Sequence, residues 1–314
     1  MSKPLLQPDG LDRNHIGVGS IILTTHGSEA SFSELSSTYP LKLLSPRIAR
    51  DNVAIAYILS YGGGLVGGDR IELSVEVRDG ASLVLLSQGS TKVFKTRPGT
   101  RLSARSQELA NTTQKMDVII SSDSALFLLP DPVTCFRSAK YNQLQTFRLQ
   151  RDASAVLLDW ITSGRKSLGE EWAFSRYYSL NEVWVEGERI ARDVLLLEDH
   201  DLHINSLPPR TLSNSLAPYS CYATVIMYGP LVQSTIRHLA TEYASISVFK
   251  RHSPPGLLWS LSMIREGRGC VVRVAAKESE DVKTWLSGSL RELEPSNGVK
   301  QLLEVYVAQD APNT

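Results

Sequence analysis

The stretch SYGGGLVGGDRIELSVEV (residues 60–77) holds five glycines in seven positions and then alternates apolar with polar side chains. Gly62, Gly64 and Gly67 match G-x-G-x-x-G, the pattern of dinucleotide-binding loops. Such a loop holds phosphate on the free N–H groups of a following helix, so a helix must begin here. Residues 71–77 instead repeat with a period of two, which is typical of a half-buried strand. The sequence therefore predicts a glycine turn before a strand and argues against a nucleotide site.

The segments on either side of this strand extend the same interpretation. Asp79-Gly80 is a strong hairpin signal, and residues 81–87 predict a second strand that runs back beside the first. Lys92 follows the serine and threonine of GSTKVF instead of preceding them, which argues against a lysine-bearing phosphate loop.

Short alternating segments recur about every ten residues over the first two thirds of the chain. They are residues 20–25, 41–44, 53–59, 71–77, 83–87, 116–120 and 144–149. A second hairpin is predicted at residues 182–191, with its turn at Glu186-Gly187-Glu188. Repeated βαβ units would need amphipathic helices between the strands, and the sequence shows none before residue 220. The predicted fold class is mainly β.

The predicted helices lie in the C-terminal third. The first covers residues 229–244, with Pro230 suited to the first helical position, and two more cover 280–286 and 299–307. Residues 204–218, rich in Pro, Ser and Asn, predict a long loop. The organisation is thus a β-rich core over about residues 20–200, a loop over about 204–218 and a helix-containing part over about 219–314.

Composition limits the classes of partner. The 33 basic and 33 acidic residues of the 314 cancel, so no bulk field attracts nucleic acid or anionic lipid. The start has no apolar signal region, and no later stretch approaches the roughly 18 apolar residues of a membrane span. Cys135, Cys221 and Cys270 are far apart, which favours reduced thiols. A cytoplasmic protein without nucleic-acid or membrane partners is expected.

Catalytic motifs are scarce in this sequence. It has no G-x-S-x-G elbow, no H-E-x-x-H and no Cys and His spacing that suggests a nucleophile and its base. One metal-like cluster, EDHDLH (residues 198–203), contains His200 and His203 and has ligands suited to nickel or zinc. A solvated turn after a strand is the other interpretation of that cluster.

Three separated segments carry a family resemblance. GGGLVGGDRIEL, QGSTKVFKTRPG and GRKSLGEEW, in this order and at these separations, resemble the motif series of the UreD family, also called UreH, of urease accessory proteins. PDPVTCF (residues 130–136) is similar to the family's proline-led segment, although Asp131-Pro132 stands near the place where the commoner bacterial form has a glutamate. The resemblance covers about residues 39–199. The matching positions include Gly62, Gly63, Gly64, Gly67, Gly68, Ser90, Thr91, Lys92, Asp131 and Arg165.

The resemblance implies a maturation factor for urease, a nickel enzyme, and no catalyst. It implies one UreD-like domain over residues 1–314: a β-helix-like stack of strands with a few helices. The implied partners are apo-urease, a UreF-type accessory protein and, through UreF, a UreG-type GTPase that carries nickel. No cofactor is held tightly on this interpretation, and Ni²⁺ passes transiently through a tunnel to the urease active site.

An ion conduit needs weak and plural oxygen ligands, because a tight Cys or His cage traps nickel. We therefore expect Asp69, at the mouth of a strand, and Glu170 to be transient nickel contacts. Ser90, Thr91 and Lys92 are expected on the neighbouring strand end, and Arg165 beside Glu170.

Two alternatives remain open at this point. One is a small-molecule enzyme with a polar cleft lined by Asp69, Lys92 and Glu170. The other is a metallochaperone that stores nickel at His200 and His203.

Partner contact is expected on the C-terminal third, through the apolar residues Ile226, Leu231, Leu239 and Trp285. On this expectation, deleting residues 280–314 abolishes UreF association.

Overall fold

The computed structural model describes residues 16–47, 51–95, 111–198, 211–249 and 256–290. The strands are β1 (Val18–His26), β2 (Glu29–Ser37), β3 (Leu41–Leu44), β4 (Val53–Ser60), β5 (Arg70–Val77), β6 (Ser82–Ser87), β7 (Thr91–Val93), β8 (Thr112–Ile120), β9 (Ala125–Leu128), β10 (Val133–Cys135), β11 (Lys140–Leu149), β12 (Ser154–Thr162), β13 (Arg176–Val185), β14 (Glu188–Glu198), β15 (Cys221–Tyr228), β16 (Leu257–Ile264) and β17 (Gly269–Ala276). The α-helices are α1 (Leu212–Leu216), α2 (Gln233–Phe249) and α3 (Ser279–Ser289). The prediction of a mainly β fold is confirmed.

The strands form two sheets that the chain visits alternately. Sheet A has the order β14-β13-β11-β8-β5-β1-β2, and sheet B follows β16-β17-β15-β12-β9-β6-β4-β3 with β7 and β10 beside it. From β4 to β13 the chain passes back and forth between the sheets, and one circuit through both sheets is a coil. Within sheet B, β4, β6, β9 and β12 pair in parallel in this order, and within sheet A, β5, β8, β11 and β13 do the same. This arrangement is the β-helix-like stack of strands.

Three layers follow from the two sheets. One apolar core lies between sheet A and sheet B, and a second lies between sheet B and the helices α2 and α3. The middle strands of sheet B are therefore buried on both faces, and β6 and β12 have nearly continuous apolar sequences. Sheet A is buried on one face, and β5 and β13 alternate strictly.

The predicted hairpin at Asp79-Gly80 is wrong. The turn is tight, with φ of 56° at Asp79 and 75° at Gly80, but it carries the chain from sheet A to sheet B. β5 pairs in parallel with β1 and β8, and β6 pairs in parallel with β4 and β9. Asp-Gly favours a left-handed turn conformation, and such a turn can connect two different sheets as well as two strands of a hairpin. The second predicted hairpin is confirmed, because β13 and β14 pair antiparallel across Glu186-Gly187.

The helices agree with the predictions apart from one short addition. Residues 230–232 form a 3₁₀ turn that leads into α2, and α3 covers the predicted 280–286. The predicted helix at 299–307 lies outside the described residues. The loop at 204–218 contains α1, so the expectation of no helix before residue 220 is wrong; Thr211 caps this helix by accepting a hydrogen bond from the Asn214 N–H. No helix in the described ranges has the length and hydropathy that a membrane crossing requires.

The apolar residues expected to form an open partner face are used inside the molecule. Ile226 is 2% exposed and Leu239 is fully buried, in the first and the second core respectively. Leu231 and Trp285 are partly buried against the second core. Deleting residues 280–314 removes most of α3 and opens that core, so loss of UreF association would not identify a docking surface.

Candidate functional site

Four sequence-predicted segments meet at one ribbon of short parallel pairings. Leu65, just after the first three glycines, forms a bridge to Val93 in β7. β7 pairs with β10, and β10 pairs with the end of β12, from which residues 163–170 continue. We call Leu65, β7, β10 and the end of β12 the motif ribbon. Segments about 100 residues apart in sequence thus become neighbours.

The glycine turn is a backbone device. Gly62, Gly63 and Gly68 have φ of 74°, 75° and 90°, the left-handed region that glycine enters without steric cost. Gly64 is extended, but a Cβ there would lie 2.5 Å from the Lys92 carbonyl oxygen. Close approach of the ribbon's first two segments therefore requires a residue without a side chain at position 64.

Asp69 closes this turn immediately before β5. Its Oδ2 accepts a hydrogen bond from the Val66 N–H at 2.7 Å, and its carbonyl accepts one from the Thr113 N–H at 2.9 Å. Thr112, fully buried, donates its hydroxyl proton to the Val66 carbonyl at 3.2 Å. The carboxylate therefore lies at the mouth of a strand, as predicted, and also holds the turn in shape.

Ser90 and Asp131 line one pocket of about 560 Å³. The Asp131 N–H donates to Ser87 Oγ at 2.7 Å, and Lys283 Nζ lies 3.5 Å from Asp131 Oδ1. Lys283 and Ser279 reach this pocket from α3, whose distance in sequence left no pattern that linked them to the motifs. The full lining is Tyr57, Leu86, Ser87, Gln88, Gly89, Ser90, Asp131, Pro132, Ser279 and Lys283.

Glu170 and Arg165 lie side by side, as predicted. Arg165 donates from Nε to Oε2 at 2.8 Å and from Nη2 to Oε1 at 2.7 Å, a bidentate pair. The Arg137 N–H donates to Oε2 at 3.4 Å, and its Nε lies 3.6 Å from Oε1. The Glu170 side chain is only 10% exposed, and the Arg165 guanidinium lies 4.1 Å from the Phe136 ring centroid. Hydrogen bonding from Arg165 lowers the pKa of Glu170, although burial opposes it.

The loop that holds Arg165 and Glu170 needs glycine at two positions for steric reasons. Gly164 has φ of 120°, and a Cβ there would lie 2.5 Å from the Glu170 carbonyl oxygen. Gly169 ends the 3₁₀ turn Lys166–Leu168 in a left-handed conformation. Trp172 and Phe174 are 4% and 1% exposed and anchor the chain after the loop. The backbone therefore turns sharply enough to bring residue 170 back to residue 165.

The structure separates some of the predicted residues. Asp131 precedes β10, whereas Glu170 contacts the backbone of Arg137 just beyond the end of β10. The two carboxylates thus lie at opposite ends of this strand. Thr91 and Lys92 belong to β7 on the motif ribbon, as expected, and the Lys92 side chain is exposed.

The predicted metal-like cluster is only partly visible. Glu198 pairs with Arg176 at 2.5 Å, and His200 and His203 lie outside the described residues. Within the described ranges, no three His, Cys, Asp or Glu side chains are grouped for metal binding. Cys135, Cys221 and Cys270 are free thiols, and burial raises their pKa, to about 12 for Cys221 and Cys270.

Comparisons with known proteins agree with the resemblance. The chain matches the family model for UreD urease accessory protein over residues 17–303. It is 40% identical to Urease accessory protein 4 of Cryptococcus neoformans, over 96% of each chain. It is 33% identical to Urease accessory protein D of Arabidopsis thaliana, over 90% of this chain and 98% of the relative. It is 32% identical to Urease accessory protein UreD of Sorangium cellulosum, over 87% of this chain and 79% of the relative.

Proposed function

Because the chain belongs to the UreD family of urease accessory proteins, whose members are maturation proteins and not enzymes, we propose that it binds apo-urease during nickel insertion. In this proposal it acts in the cytoplasm with a UreF-type protein, and a UreG-type GTPase that UreF recruits supplies the nickel. The ion then reaches the urease active site through an internal passage.

The motif ribbon is the observation that carries this proposal. Four segments spread over about 100 residues adjoin only in the folded chain, and the oxygen-bearing side chains of Asp69, Ser90, Asp131 and Glu170 lie at separate points along or beside this ribbon. Carboxylate and hydroxyl oxygens are weak nickel ligands compared with thiolates and imidazoles. A set of such ligands suits an ion that must leave as readily as it arrives.

Charge around Glu170 supports a transient role in the same way. Arg165 and Arg137 neutralise much of its carboxylate charge, so a divalent ion passing Glu170 meets a moderated attraction. Asp69, which is partly engaged by the Val66 N–H, is proposed as a second transient contact. Nickel is the cargo in this scheme, and no resident cofactor is required.

Co-expression with tagged apo-urease and the UreF and UreG partners tests the proposal. We expect this chain to be recovered with apo-urease, and urease activity to appear on nickel addition only when the chain is present. A chain that is folded and expressed, but neither co-purifies with apo-urease nor changes activation, would refute the proposal.

A further inference from the structure

A buried carboxylate between the two sheets has no place in the motif series. Asp159, on β12 of sheet B, projects toward sheet A. Its Oδ1 accepts a hydrogen bond from Gln143 Nε2 at 2.8 Å, and its Oδ2 accepts from Ser179 Oγ at 2.5 Å and from Asn181 Nδ2 at 2.7 Å. A charged group in the middle of a sandwich is costly unless something compensates it.

The compensation comes from neutral groups. The pKa of Asp159 is raised overall, because burial has the largest effect and the nearby charge of Asp193 adds to it, while hydrogen bonds from Ser179, Asn181 and Gln143 lower it in part. Gln143, Ser179 and Asn181 are 4%, 1% and 4% exposed. Asp159 as a whole residue is half-buried, so neighbouring side chains do not cover all of its surface.

The Asp159 site belongs to a line of polar side chains that crosses the interior. On one side, the Tyr141 hydroxyl lies 3.1 Å from both Gln143 Oε1 and Gln114 Oε1. On the other side, Asn181 is the cross-strand partner of Asp193, which pairs with Arg273 and accepts a hydrogen bond from Thr224 at 3.0 Å. The line therefore runs from β8, beside the Asp69 turn, to an exposed arginine on β17.

The groups around Asp159 can reverse their polarity. Amide side chains present either an NH₂ donor or a carbonyl acceptor after a half turn, and a hydroxyl both donates and accepts. Gln143, Asn181 and Ser179 therefore serve the carboxylate as donors when no ion is present and can turn oxygen atoms toward a cation when one enters. A lysine or arginine partner could not do this, because it only donates.

We propose that Asp159, with Gln143, Ser179 and Asn181, forms an interior site that transiently holds a divalent cation through oxygen ligands only. The inference rests on the proposed function, since nickel is the cargo that would use such a site. The Asp159 site would be a further transient cation contact, between the two sheets, in addition to the carboxylates proposed beside the motif ribbon.

Asp159→Asn tests the site in the complex with apo-urease, UreF and UreG. The change keeps shape and removes the charge, so we expect the complex to assemble and activation at limiting Ni²⁺ to slow by about tenfold, the effect of about 1.4 kcal/mol. Excess Ni²⁺ should restore the rate, because occupancy of a weakened site recovers with concentration. The matched control is Asp117→Asn, on the outer face of sheet A beside Lys115 and Arg148, and it should activate normally.

Unchanged activation of Asp159→Asn at limiting Ni²⁺ would overturn the site while leaving the proposed function intact, provided the wild-type complex activates urease. A slowing that excess Ni²⁺ does not relieve would also overturn it, since a structural role predicts that result. If Asp159→Asn does not fold, Gln143→Met provides the test of the cation site, because methionine keeps the side-chain length and removes the oxygen ligand. A normal rate in that variant at limiting Ni²⁺ would refute the site.

Discussion

At the scale of the residue, Glu170 shows how one carboxylate can have two roles. Its bidentate pair with Arg165 fixes the loop, and its position beside the motif ribbon places a negative charge where the proposed passage needs one. Glu171, the next residue, is exposed and contacts Ser220 at 3.5 Å. The two neighbours therefore offer a matched pair for separating charge at the ribbon from charge at the surface.

Glu170→Gln should slow urease activation at limiting nickel while the complex with apo-urease still assembles. Glutamine keeps the shape and one hydrogen-bond acceptor for Arg165 but removes the charge that an arriving cation needs. Activation kinetics at limiting Ni²⁺ measure the effect, with Glu171→Gln as the control. Equal rates for wild type and both variants would end the conduit role for Glu170.

The pH dependence of unfolding gives the same variant a second, independent readout. The pKa of Glu170 is lowered in the folded state, so its pair with Arg165 stabilises the protein above the ordinary pKa of glutamate. That stabilisation is lost as pH falls through the lowered folded-state pKa. The difference in free energy of unfolding between wild type and Glu170→Gln should therefore shrink on acidification.

At the scale of the element, the sequence predicts the strands of sheet A better than those of sheet B. β5 alternates because one face is buried and the other is not. β9 and most of β12 are buried on both faces, so their apolar runs have no period of two to reveal them. The hairpin prediction at Asp79-Gly80 was wrong for a related reason. A local turn signal contains no information about which sheet the next strand joins.

The sequence likewise predicts the local contacts of the candidate site but not its long-range contacts. Arg165 and Glu170 are five residues apart, so a local motif can predict their contact. Asp159 takes its partners from β11 and β13 of the opposite sheet, and Lys283 reaches Asp131 from a C-terminal helix. Contacts of this kind depend on how the coils stack, and single segments do not encode that stacking.

Gly64→Ala tests the close approach that forms the motif ribbon. The added Cβ would lie 2.5 Å from the Lys92 carbonyl oxygen and 2.7 Å from Phe94 Cε2, so β7 must move. We expect a loss of about 1–3 kcal/mol in the free energy of unfolding, as for overpacked sites. Urea denaturation measures it, with Gly288→Ala in α3 as the control, where a Cβ meets no atom within 4 Å. Equal stability of Gly64→Ala and wild type would show that the ribbon tolerates separation.

At the scale of the whole molecule, sheet B couples the two apolar cores. Its middle strands present one face to sheet A and the other to the helical layer, as Leu85 in the first core and Leu86 in the second illustrate. Unfolding of a middle strand of sheet B therefore disrupts both cores. The β-rich part and the helix-containing part are therefore expected to behave as one cooperative unit, and the single domain stays a prediction.

Leu286→Ala, in α3, tests this coupling from the outer layer. Leu286 is 3% exposed in the second core, so its truncation should lower the free energy of unfolding by about 2–5 kcal/mol. Because sheet B belongs to both cores, the loss should shift one cooperative transition instead of releasing the helices alone. Urea unfolding followed by far-UV circular dichroism and by tryptophan fluorescence measures this, since Trp172 lies in the first core and Trp259 in the second. Within each protein, coincident circular-dichroism and fluorescence curves support a single unit, with the transition of Leu286→Ala at lower urea than that of the wild type. A fluorescence change in Leu286→Ala before the sheets unfold would show that the helical layer is independent.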